Sequence, residues 1–176
     1  MKKNFVFPAA IAVLALAFAV SAQKSADLSG KWTLDLAKSE LGQQAAMIKS
    51  QTLTITQAGT SFKVSTQTER NAPADGAPGG GGGGGRPAGG GGGGGEQAYT
   101  LDGKEVSTER QTPQGAVTTK TKAEQAGSKV TITSVFPTPN GDMKSTQTFE
   151  LSADGKSLTV TRESTRGKTK SVYTKG

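Results

Sequence analysis

The side chains that most often carry acid–base, nucleophilic and metal chemistry are missing, because the 176-residue chain has no histidine and no cysteine. Imidazole bases, thiolate nucleophiles, disulfides and Cys/His zinc or haem sites are therefore excluded. Carboxylates, hydroxyls and amines remain. The 14 Asp and Glu residues are scattered, several in or beside turns (Asp102, Asp142, Asp154). No pair of them shares a strand face with an apolar wall able to separate two pKa values. No Gly-x-Ser-x-Gly or calcium-loop pattern occurs. The glycine tract also lacks the preceding strand and the following Lys-Ser/Thr of a phosphate loop. These features point away from an enzyme, and no metal or cofactor is expected; Ser or Lys chemistry stays open.

The other chemical resource is a set of apolar side chains suited to binding. Leu53/Ile55, Phe62/Val64, Tyr99/Leu101, Val130/Ile132/Phe136, Phe149/Leu151 and Leu158/Val160 recur at a spacing of two, with Thr, Ser, Gln or Lys mostly between them. That spacing puts each set on one face of a half-buried strand. All are candidates to line a ligand-binding interior. Thr66, Thr68, Thr119, Thr121, Ser134, Gln147 and Arg162 share their parity, which makes the same face amphipathic. Strands 104–112 and 116–124 offer only Val106 and Val117, so that hairpin either protrudes or lines a wet part of the cavity. The alternative is that these side chains fill the interior and leave no cavity.

The elements that must hold them are strands joined by tight turns. Gly103, Gly115, Gly127, Gly141, Gly155 and Gly167 are separated by 12, 12, 14, 14 and 12 residues, most of them in Asp-Gly, Asn-Gly or Ala-Gly turns. Such dipeptides supply the positive φ of short hairpins. The spacing predicts an antiparallel meander of ten strands at 30–36, 51–57, 61–69, 97–101, 104–112, 116–124, 129–136, 144–151, 157–164 and 169–174, each pairing with the next. Gln43 to Ile48 is the one helical candidate, at most two short turns. A meander this long avoids exposed edges by curling until its first and last strands meet. The expectation is an all-β, up-and-down barrel of eight to ten strands. An outer-membrane barrel would need two aromatic girdles. Only Trp32, Phe62, Tyr99, Phe136, Phe149 and Tyr173 remain once the N-terminal phenylalanines are set aside.

Lys2-Lys3, an apolar run from Phe5 to Val20 and small residues at Val20-Ser21-Ala22 read as a secretory signal peptide over 1–22, cleaved after Ala22. The run contains Pro8 and is too short for a comfortable membrane span. The expected product, 23–176, is one exported domain, soluble in the periplasm or outside the cell. It keeps nineteen cations against 14 anions, so it is weakly drawn to anionic envelope polymers. Residues 71–96 interrupt the domain with two seven-glycine runs, Gly79 to Gly85 and Gly89 to Gly95. They have nothing to bury and much backbone entropy to lose, so a disordered loop is expected. With Arg86 alone and no aromatic, that insert lacks the stacking residues of a nucleic-acid binder, and no nucleic-acid partner is expected.

The segment Leu28-Ser29-Gly30-Lys31-Trp32-Thr33-Leu34-Asp35-Leu36-Ala37-Lys38-Ser39 resembles the opening of small secreted bacterial lipocalin-like proteins, calycin-type barrels. Ser152 to Thr161, with Val172-Tyr173, resembles their last two strands. The resemblance implies that Gly30 and Trp32 close one barrel end beneath a basic side chain of the last strands, matched here by Arg162. Trp32 as an ordinary core aromatic is the other reading. The family disulfide cannot form here, the glycine insert is foreign to the pattern, and ten strands suit the fatty-acid-binding relatives better. The function implied is non-catalytic binding of a small amphipathic or hydrophobic ligand in the barrel. The rival is a structural or adhesive envelope protein that contacts anionic polymers through its basic surface and glycine-rich loop.

Overall fold

The computed structural model describes residues 25–71, 95–112, 115–138, 141–165 and 167–176. The segment 1–22 expected to be a signal peptide and residues 72–94 of the glycine-rich insert lie outside them. The described chain is all-β apart from a 3-10 helix at Gly42–Met47. Its ten strands are β1 (Gly30–Glu40), β2 (Ile48–Ala58), β3 (Ser61–Arg70), β4 (Glu96–Thr100) and β5 (Asp102–Thr112), then β6 (Gly115–Ala126), β7 (Lys129–Thr138), β8 (Gly141–Leu151), β9 (Ser157–Ser164) and β10 (Gly167–Lys175). All neighbours are antiparallel, in the order β4-β3-β2-β1-β10-β9-β8-β7-β6-β5. First and last strands do meet: Trp32 lies opposite Lys175, and Leu34 opposite Tyr173.

Among the described residues the sheet nonetheless stays open at one place, between β4 and β5, so the barrel is nearly closed. This corrects the expectation that every strand pairs with the next. Asp102-Gly103 was expected to turn a hairpin there. Instead a single residue, Leu101, separates the two strands, and its N–H donates to Thr60 O at 2.7 Å. The Asp102 carboxylate accepts the Lys104 N–H at 3.0 Å, and Gly103 takes a φ of 71°. The ladder to β6 slips by one residue between Asp102 and Glu105. Asp-Gly therefore builds a bulge against β6, where positive φ is needed just as it is in a hairpin.

Alternation decides which side chains face in. Cross-strand rows run Trp32–Leu53, Ile55–Val64 and Val130–Phe149–Val160. Leu28, Trp32, Phe62, Val130, Phe149 and Leu158 are fully buried. Phe62 and Phe149 meet edge to face, with centroids 5.4 Å apart. Burying each of these side chains stabilises by roughly 1.5–3 kcal/mol. They gather at the end where Ala58–Ser61 and Leu151–Ser157 turn. The N-terminal segment lies across that end: Leu28 N–H donates to Gln57 Oε1 at 3.1 Å, and Gln57 Nε2 to Gln125 Oε1 at 2.7 Å. Gln125 Nε2 donates in turn to Ala26 O at 2.7 Å. Outward positions carry Thr, Lys and Glu, tied by exposed pairs such as Lys120–Glu105 at 3.3 Å and Lys129–Glu150 at 3.4 Å. Among the described residues the large apolar side chains left exposed are Leu36, Met47 and Val106.

Candidate functional site

Away from the sealed end, the inward positions turn polar. Arg162 stands on β9 between Gln147 of β8 and Thr169 of β10. These residues line a cavity of about 300 Å³ with Gln51, Thr66, Thr68, Ser171 and Tyr173, closed on one side by Leu41, Met47 and Ile48 beside the 3-10 helix. The Tyr173 hydroxyl donates to Gln51 Oε1 at 2.6 Å, and Gln51 Nε2 donates to Thr68 Oγ1 at 2.7 Å. Burial pushes the Tyr173 phenol above its ordinary pKa, and the Arg162 charge pulls the other way. Among the described residues no carboxylate pairs with Arg162. A guanidinium without a counterion, ringed by hydroxyls and amides, is suited to an anion.

A second cavity of about 550 Å³ lies where the sheet is open. Tyr99 and Gln97 come from β4, Lys104, Val106 and Thr108 from β5, Thr119, Thr121 and Ala123 from β6, and Ser134 and Phe136 from β7. The Tyr99 hydroxyl donates to Gln97 Oε1 at 2.7 Å. Burial raises its pKa as well, again opposed by Arg162. At the sealed end, a polar hollow of about 390 Å³ is lined by Asp27, Gln57, Leu101 and Gln125. Hydrogen bonds from the Ser29 side chain and N–H hold the Asp27 carboxyl below its ordinary pKa.

The candidates named from spacing are thus distributed. Leu53 and Val160 line the cavity beside Arg162, Tyr99 and Phe136 the open slot, and Leu101 the hollow at the sealed end. Ile55, Phe62, Val64, Val130, Ile132, Phe149 and Leu158 pack into one core, with Leu151 against it. The parity-mates Thr66, Thr68, Gln147 and Arg162 form cavity wall, as do Thr119, Thr121 and Ser134. Gln51, Thr169, Ser171 and Tyr173 were missed, although all four continue the inward parity of β2 and β10.

Trp32 is fully buried and its Nε1 donates to Leu28 O at 3.1 Å. The cation over its ring is Lys175, 5.3 Å from the centroid, and not Arg162 as the resemblance implied. Four residue steps along β9 take the chain from Leu158 at the sealed end to Arg162, about 13 Å, which carries it to the opposite mouth. Gly30 makes room for that lysine, since a Cβ there would meet Lys175 Cε at 3.2 Å.

No family model and no curated protein matches the chain. Solved structures of similar fold include the REP1-NXSQ fatty acid transporter (17% identity, TM-score 0.51, 86% of this chain and 98% of that one). Human cRBP IV is similar at 15% identity and TM-score 0.50, over 86% of this chain and 99% of that one. Secretory abundant heat soluble protein 4 from Ramazzottius varieornatus is similar at 17% identity and TM-score 0.53, over 88% and 99%. The chain shares the fold of these structures, an all-β, antiparallel, nearly closed barrel of ten strands.

Proposed function

We propose that the protein is an exported, non-catalytic carrier of the secreted bacterial lipocalin-like kind, acting in the periplasm or outside the cell after cleavage behind Ala22. Its ligand is a small amphipath with an anionic head. The observation that carries this reading is Arg162, a guanidinium that no carboxylate of the described residues pairs with, on the wall of a cavity of about 300 Å³. The head group takes Arg162 and Gln147, and the apolar part lies against Leu53, Val160 and Ile48. Support for non-catalytic binding comes from the missing His and Cys and the dispersed carboxylates. One barrel of similar fold is named a fatty acid transporter, which supports the amphipathic class.

The test is a calorimetric titration of the full chain with dodecanoate and with dodecanol. Dodecanoate should bind more tightly. Arg162→Gln should cost about tenfold or more in affinity for dodecanoate, the loss of a charged hydrogen bond, and leave dodecanol binding unchanged. If neither amphipath binds and salt-sensitive binding to anionic polymers is all that is seen, the barrel is an adhesive scaffold and the carrier reading fails.

A further inference from the structure

The break between β4 and β5 is a site of a different kind. Among the described residues β4 is bonded to β3 and β5 to β6, and no strand lies on the free side of either. Two rows of backbone N–H and C=O groups therefore face a cavity of about 550 Å³. A hydrocarbon chain lying there would leave those groups dry and unpaired, which is costly. An extended peptide would satisfy them by strand addition. Behind the edges, Ala123 of β6 and Phe136 of β7 form an apolar floor, flanked by the exposed Val106 of β5 itself, fit for a side chain of such a peptide, between polar residues such as Thr108 and Thr119.

Charge gives the direction. Lys104 lies at the narrow end of the slot, near the Leu101 corner, and Glu96 at the wide end, where β4 begins. Lys104 pairs with Asp102 at 3.6 Å and Glu96 with Lys63 at 3.6 Å, but all these contacts are largely exposed and weakly held. A peptide whose carboxylate lies at Lys104 and whose amine lies at Glu96 runs antiparallel to β5, the longer edge, which is the more favourable pairing. The five residues of β4 span about 16 Å, so the fitting length is close to a pentapeptide. We infer that the β4–β5 slot binds a short extended peptide with free termini and an apolar side chain turned into the barrel, at a site separate from the Arg162 cavity.

The probe is the pentapeptide Thr-Leu-Thr-Leu-Thr, titrated by calorimetry into the full chain with backbone amide exchange followed in parallel. Binding should slow exchange along β5, at Glu105 and Ser107 among others. A fully N-methylated analogue should lose roughly tenfold or more in affinity. Capping both termini should cost roughly fivefold, and Lys104→Glu the same for the uncapped peptide. In the double variant Glu96→Lys/Lys104→Glu, the preference for free termini should disappear. Dodecanoate binding should be untouched by Lys104→Glu, and peptide binding untouched by Arg162→Gln, so this inference and the carrier reading fail separately. Equal binding of the N-methylated peptide, no slowing of exchange along β5, or indifference to the charge reversal would each overturn the slot as a peptide site.

Discussion

The two ends of the barrel are built from the same alternating strands and behave as different materials. At the sealed end the inward positions are Trp32, Phe62, Val130, Phe149 and Leu158, all fully buried, with Lys175 laid over the indole. Farther along those strands or on the strands beside them, the inward positions become Thr66, Thr68, Ser134, Gln147, Arg162 and Ser171, and they line open cavities. Period-two patterning chooses the side of the sheet a residue faces. Its chemistry along the strand then decides whether that stretch becomes core or vestibule. Half the barrel holds the fold together, and the other half is free to hold something else.

The largest effect expected from that division comes from truncating the sealed end. Trp32→Ala should cost about 3–5 kcal/mol in a denaturant melt, the usual range for a packed aromatic, while Phe136→Ala, at a half-buried position of the open slot, should cost well under half of that. Equal costs at the two sites would erase the distinction. Next in size is an alkaline effect at the boundary. Burial raises the pKa of Tyr99 and Tyr173, so the fold favours the neutral phenols. Their contribution is fully present below the ordinary phenol value near 10 and is lost as pH rises through the raised values. Thermal melts should therefore fall more steeply above about pH 10 for the parent than for Tyr99→Phe/Tyr173→Phe. Parallel curves would place both phenols in water. Smaller still is the contrast of two cations. Lys175→Met should lose about 0.5–1 kcal/mol of cation–π stabilisation, whereas Arg162→Gln should leave stability within about 0.5 kcal/mol of the parent, as for a surface change. A greater loss for Arg162 than for Lys175 would make the arginine structural.

Much of this was legible in the sequence, for identifiable reasons. Strand positions followed from apolar residues two apart and from glycine-marked corners, and the helical candidate at Gln43 to Ile48 falls on the 3-10 helix at Gly42–Met47. The meeting of first and last strands followed from the need to hide edges. The open slot was not legible, because Asp102-Gly103 satisfies a bulge and a hairpin with the same positive φ, and only the β6 register tells them apart. The division of the interior was half legible. Thr66, Gln147 and Arg162 were on the inward face by parity, but nothing in one strand reveals how far along the barrel the packing stops. The plug cation was misassigned for a related cause: Lys175, opposite Trp32 in the β1–β10 ladder, is found only once strands are paired.

Whether the open half is a binding vestibule is most directly read by residue-resolved amide exchange of the full chain with and without dodecanoate. The account predicts slowed exchange around Gln51, Gln147, Arg162 and Ser171, with Val130 and Leu158 unchanged. Binding that slowed exchange only on outward-facing strand positions, or slowed none at all, would contradict it.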